Sequence, residues 1–181
     1  MSKKIFIASI LLAISMTVSA TAQDKSMKTC PMMAQDSHHK GMDHHDGVNK
    51  RGDQGMGFDH LKTTHHFRLF TDGGAIEVNA NDIEDTVSQD QIRGHLKHIA
   101  MMFSEGNFSI PMFVHDKVPP GVEIMKQQKA LISYKYEQTQ QGGRVRILTG
   151  NAKALKAIHQ FLRFQIQDHQ TGDTKEVTRS L

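Results

Sequence analysis

Apolar and polar residues alternate with a period of two along residues 66–80, which predicts a β-hairpin. Phe67 and Leu69 share one face of the first strand, and Ile76 and Val78 share one face of the second. Asp72-Gly73 suits a two-residue type I′ turn, which sets Leu69 opposite Ile76 and Phe67 opposite Val78. The same register places Arg68 across from Glu77 on the other face, a favourable cross-strand pair. The period then changes. Over residues 81–104, Ile92, Leu96, Ile99 and Phe103 recur at helical spacing, and Gly106 stands where a C-terminal glycine cap is expected. The order repeats downstream. Residues 131–137 and 144–149 alternate around Gly142-Gly143, Asn151 is placed to cap a helix, and Leu155, Ile158, Leu162 and Ile166 form its stripe, ended near Gly172. Aligning Gly73-Gly74 with Gly142-Gly143 brings Ile92 onto Ile158 and Leu96 onto Leu162 after a short gap. These patterns predict an α+β fold, a duplicated ββα-ββα unit with an antiparallel sheet and two helices on one face. Residues 107–126, with Pro111, Pro119, Pro120 and Gly121, read as a long ordered loop between the units.

Upstream the pattern is lost. Residues 23–57 are rich in Gly, Asp, Lys and His and hold no Trp, Tyr or Phe. Such a segment buries too little apolar surface to offset the entropy of ordering, so a disordered arm is expected, with the domain spanning 58–181. Residues 1–22 read as a signal peptide: Lys3 and Lys4 precede an apolar run, and Ala20-Thr21-Ala22 offers a small-X-small cleavage pattern. The run is shorter than the roughly 20 residues a membrane span needs, so no stable membrane insertion is expected after cleavage. Removing that segment takes away Lys3 and Lys4 and lowers the formal net charge of +3 by two. No basic cluster interleaved with aromatics remains, and nucleic acid is not an expected partner. A single cysteine excludes an internal disulfide.

The arm carries the most distinctive chemistry. Between residues 30 and 45 stand Cys30, Met32, Met33, His38, His39, Met42, His44 and His45. Thiolate and thioether donors suit Cu(I), and imidazole suits Cu(II), zinc and nickel. The stretch resembles the Met/His-rich segments of periplasmic copper-resistance proteins, where Gly-Met-Asp-His runs recur, and the resemblance implies copper handling. No His-X-His pair of the multicopper-oxidase type occurs.

Within the domain, His95, His98 and Met102 share one flank of the first helix stripe and form a candidate site for copper or haem. His65 and His66 open the first strand, and His115 lies between the prolines. A site joining strand start, helix flank and loop would use His65 or His66 with His95 and His115. His159 and His169 fall within the second stripe itself, which reads as hydrogen-bonded core, and their spacing excludes a shared ion. Residues 55–67, 111–116 and 161–173 resemble an uncharacterised group of secreted bacterial proteins, a likeness that implies no activity. Gly-X-Ser-X-Gly, His-Glu-X-X-His, phosphate-binding glycine loops and Cys-X-X-Cys-His are all missing. The leading expectation is a periplasmic or secreted transition-metal protein, with copper before zinc or nickel, acting in sequestration or delivery beside a metal-transport or resistance protein. A haem- or metal-dependent enzyme using one domain histidine site is the second expectation, and a binding module without metal is the third.

Overall fold

The computed structural model describes the backbone of residues 39–180, with side chains from residue 44 onward. The elements run α1 (His39–Met56), β1 (Thr63–Phe70), β2 (Gly73–Ala80), α2 (Thr86–Ser104), α3 (Ser109–His115), α4 (Val122–Gln127), β3 (Ser133–Thr139), β4 (Gly142–Leu148), α5 (Ala152–Asp168) and β5 (Val177–Thr178). The α+β class and the repeated ββα order stand as the hydrophobic pattern predicts. One sheet of order β3-β4-β2-β1-β5 carries them, so the two hairpins meet through β2 and β4. The helix stripes Ile92, Leu96, Ile99, Phe103 and Ile158, Leu162, Ile166 are buried in one core against Phe67, Leu69, Ile76, Val78, Val145 and Ile147. Those sheet residues share one face, and both long helices cover it. The sheet is mixed rather than antiparallel, because β5 adds a short parallel edge to β1 through Leu69↔Val177 and Phe70↔Thr178.

The first hairpin's register differs from expectation by two residues, and the second hairpin's turn lies two residues before Gly142-Gly143. Phe67 pairs with Ile76, His66 with Glu77, and Phe70 with Gly73, so the turn is Thr71-Asp72. Thr139 pairs with Gly142 in the second hairpin, so Gln140-Gln141 turns there. An even shift keeps each side chain on its expected face. Glu77 finds its arginine on β4 instead, with Arg144 Nη1 3.8 Å from Glu77 Oε2. The glycine pairs open the second strands for a steric reason. A Cβ on Gly73 would stand 1.9 Å from Ile147 O, and one on Gly142 would stand 2.3 Å from Val78 O.

These contacts are images of one another. Under the alignment of Gly73 with Gly142, Ile76 corresponds to Val145, and these two pair directly across β2 and β4. Gly74↔Ile147 maps onto Val78↔Gly143 in the same way. A pseudo-two-fold axis therefore passes through the Ile76–Val145 pair. The helices obey it and cross over. Leu162 of α5 sits above Gly74 of the first hairpin, and Leu96 of α2 sits above Gly143 of the second. Arg93 of α2 donates to Thr139 O, Gln140 O and Gly142 O at 3.4, 3.1 and 3.3 Å. At the equivalent place on α5, His159 Nε2 donates to Phe70 O and Gly73 O at 2.9 and 3.0 Å. His159 is hydrogen-bonded as its position in the stripe predicts, but it is half-buried rather than in the core.

Three segments depart from the sequence expectations. α2 starts at Thr86 rather than at residue 81, because Asp82 Oδ1 accepts from Glu84 N at 2.9 Å and holds a turn, and Asp85 then caps the helix through Ser88 N. Its other end is a Schellman motif: Asn107 N donates to Met102 O and Gly106 N, at φ +80, donates to Phe103 O. The expected loop 107–126 holds two short helices, α3 and α4. Pro111 is the third residue of α3, where its missing N–H has no helical partner to lose. The expected disordered arm 23–57 contains α1, whose Val48 is fully buried and whose Gly55 lies against Phe113 and Val114 of α3. Among the described residues no helix is long and apolar enough to cross a membrane.

Candidate functional site

α5 ends at Asp168, and the carboxylate joins three parts of the chain. Oδ2 accepts from His115 Nδ1 at 2.5 Å, and Oδ1 accepts from His44 Nε2 at 3.0 Å. Lys117 Nζ stands 3.6 Å from Oδ1. Burial pushes this carboxyl upward, but hydrogen bonds from His44 and His115 and attraction to His115 and Lys117 hold it below the usual carboxylate range. His115 is 1% exposed, and its Nε2 lies 2.8 Å from Gln165 Oε1. Gln165 and Asp168 stand three apart on α5, so one helix face presents both groups to one imidazole. Gln165 Nε2 is buried without a partner among the described residues.

Beside this pair lies a cavity of about 60 Å³. Its walls are core residues together with His65 from β1, His95 from α2, His115 ending α3 and His169 just after α5, and Met56 at the end of α1 joins them. Met56, His65 and His169 also line a polar outer pocket of about 320 Å³, with His45, His60, Thr63 and Thr64. The ring centroids of His65 and His169 stand 5.6 Å apart with planes 4° apart, and those of Phe58 and His95 stand 5.5 Å apart with planes near perpendicular. The outer and inner spaces thus share a wall of two stacked imidazoles and a thioether.

These imidazoles are held neutral. Burial, and then His95, His66 and His60, lowers His65 from 6.5 to about 4. Burial, and then His98, lowers His95 to about 4. Burial also takes His169 well below 6.5, with His65 and His115 adding to it and Asp168 opposing. Among the hydrogen bonds of the described residues, none reaches a ring nitrogen of His65, His95 or His169. A neutral, unpartnered imidazole has a free lone pair, the form in which histidine ligates a metal.

No family model, curated protein or solved structure matches this chain. The residues must therefore be read from their own geometry. One group of three among the described residues has donor atoms mutually within 4.8 Å: Asp53, Asp59 and His60. Those groups are engaged locally. Asp53 accepts from His60 Nδ1 and from the His60 backbone N–H at 2.8 Å each, and Asp59 accepts from Leu61 N at 2.8 Å. In the stacked pair, the lone pairs lie in two separate parallel planes, so one ion takes His65 or His169 but not both.

The residues singled out by sequence are distributed as follows. His65, His95 and His115 line the one cavity. His66 does not: its Nδ1 lies 3.0 Å from Asp173 Oδ1, while Asp173 Oδ2 accepts from Phe67 N at 2.9 Å, which fastens the C-terminal segment to β1. The expected flank of His95, His98 and Met102 is not one site, because His98 is exposed to solvent and Met102 is packed in the core. From the arm, His44 reaches Asp168 and His45 lines the outer pocket, its Nδ1 buried and without a partner among the described residues. Cys30, Met32, Met33 and His38 lie outside the described residues, as do the side chains of His39 and Met42. Sequence reasoning missed Met56, His60, Gln165, Asp168 and His169. One signal was available: Gln165 is a polar residue beside the apolar stripe of α5, and a buried amide requires partners. For His169 the stripe itself misleads, because the residue lies past the last helical turn.

Proposed function

We propose that this chain is a periplasmic copper-binding protein that sequesters the ion or delivers it to a transport or resistance partner. The observation that carries the reading is that His65, His95 and His169, whose imidazoles are neutral and make no hydrogen bond among the described residues, line one cavity together with the thioether of Met56. Thioether with imidazole is a donor set that selects Cu(I) and tolerates Cu(II). The stacked geometry favours a low coordination number, which Cu(I) accepts and zinc does not. His45 of α1 lines the outer pocket beside Met56, His65 and His169, so a donor of the Met/His-rich stretch stands next to those of the domain. The basic and apolar run at residues 3–14 with Ala20-Thr21-Ala22 supports export.

The test is a competition titration of chelator-stripped whole chain with Cu(I), Cu(II), Zn(II) and Ni(II), with metal content measured per chain. At least one Cu(I) should bind more tightly than zinc or nickel. Met56→Leu and His95→Phe should each weaken it roughly 10–100-fold, the range typical of groups that tune a metal site. Retention of full Cu(I) affinity in both variants would remove the pocket from the proposal, and failure to bind copper at all would end it.

A further inference from the structure

We infer that the cavity behind His65 and His169 binds a small uncharged molecule with an apolar body and one hydroxyl group, of the size and kind of a short-chain alcohol. No Asp, Glu, Lys or Arg is among the residues lining this cavity. Ile76, Val78, Leu96 and Phe161 supply apolar walls. An engineered apolar cavity of about 150 Å³ holds benzene, so a space of about 60 Å³ holds on the order of two to four non-hydrogen atoms. That size excludes a macrocycle such as haem from the inner space.

One wall is polar and unfinished. Gln165 is 3% exposed, one end of its amide meets His115 Nε2 at 2.8 Å, and the other end has no partner among the described residues. A buried polar atom left without a hydrogen bond costs about 1–3 kcal/mol, so this wall favours an occupant that reaches it. A hydroxyl both donates and accepts, and it satisfies the amide whichever of its two ends faces the cavity. Asp168 stands behind His115 and presents no charge to the space. Met56 lines both the inner space and the outer pocket, and its unbranched side chain moves more readily than the imidazole stack beside it.

The inference does not rest on copper, and its test uses chelator-stripped whole chain so that the two readings fail separately. Methyl groups of Ile76, Val78, Leu96 and Ile99 and the side-chain amide of Gln165 are followed by NMR during titration with 2-propanol, and with isobutane as the isostere lacking oxygen. Saturable shifts at these methyls and at the Gln165 amide are expected, with a dissociation constant of roughly millimolar for so few atoms. In Gln165→Met the ratio of 2-propanol to isobutane affinity should fall about tenfold, the loss of one hydrogen bond. Absence of saturation in the unmodified chain, or water alone at Gln165, overturns the inference and does not depend on whether the variant folds. An unchanged affinity ratio in a folded Gln165→Met overturns it as well.

Discussion

His65 and His95 show how folding sets the chemistry of single residues. Each has its pKa moved from 6.5 to about 4, first by burial and then by neighbouring histidines. The unfolded chain takes up protons on these groups near pH 6.5 and the folded chain does so only near 4. Between those values the unfolded state binds more protons, so stability falls as pH falls, and above 6.5 their contribution is fully present. The cost is on the order of 2–3 kcal/mol for each histidine by the time pH reaches the folded value. Asp168 and Asp173 are displaced downward from 3.8, so their contribution is lost at still lower pH and leaves this window alone. Urea midpoints from pH 7 to 4.5 should drop steadily, and His65→Phe, which keeps a ring between Phe58 and Phe67, should remove roughly a third of the drop, with His95 and His169 carrying the rest. A flat profile would mean that these rings are hydrated and ordinary. The same neutrality bears on copper, since His65 and His95 remain unprotonated at pH 5 and ions held there should survive a change from pH 7 to 5. The residue types at this site were legible in the sequence, and a site joining strand start, helix flank and loop was one arrangement it allowed, but their convergence was not legible. Nor was their neutrality, because it depends on burial that no local pattern specifies.

At the scale of elements, legibility followed the hydrophobic period. α2 and α5 were readable because their stripes are regular, and α3 was hidden by a proline that sits in its first turn. α1 was hidden by its own glycines. Gly41, Gly47, Gly52 and Gly55 lower its intrinsic helix propensity, and Val48 is one of its few apolar residues. Tertiary packing overrides that deficit. Val48, Gly52 and Gly55 lie at i, i+4 and i+7 on one face, and the small face lets α3 approach closely. Arg51 Nε donates to Val114 O at 2.8 Å, and His44 reaches Asp168 from two turns further back. A Cβ on Gly55 would lie 3.4 Å from both Phe113 and Val114, ordinary contact, whereas a branched side chain would need space that they occupy. Gly55→Ala should therefore be tolerated, or stabilise by up to about 1 kcal/mol through helix propensity. Gly55→Val should release α1 and raise tryptic cleavage after Lys50 and Arg51 at least tenfold, since cleavage tracks the population of the opened form. Equal cleavage in the two variants would show that α1 does not dock through this face.

The whole molecule is governed by the pseudo-two-fold axis, and the glycine pairs are its clearest consequence. Each repeat places its helix over the other repeat's hairpin, so neither ββα unit can bury its sheet face alone. The sequence alignment of Gly73 with Gly142 identified equivalent positions but assigned them to turns, where glycine is usually informative. Their actual role arises from contacts across β2 and β4, between residues far apart in sequence, which no turn signature can reveal. This distinction is testable by substitution. Gly142 needs no left-handed backbone, yet its Cβ would meet Val78 O at 2.3 Å, and Gly73 adds φ +147 to a 1.9 Å approach to Ile147 O. Backbone oxygens in a central strand pair cannot turn aside as a side chain can. Gly142→Ala should cost at least the roughly 1–3 kcal/mol typical of overpacking, and Gly73→Ala should cost more because strain is added to collision. Gly94 supplies the opposite sign. It is exposed on α2 with nothing within 4 Å of an added Cβ, so Gly94→Ala should gain roughly 1 kcal/mol from helix propensity. Urea denaturation of the three variants at pH 7 measures all of these changes on one scale. If Gly142→Ala is as benign as Gly94→Ala, then β2 and β4 are not neighbours, the Ile76–Val145 pair is not an axis, and the crossed helices lose their reason.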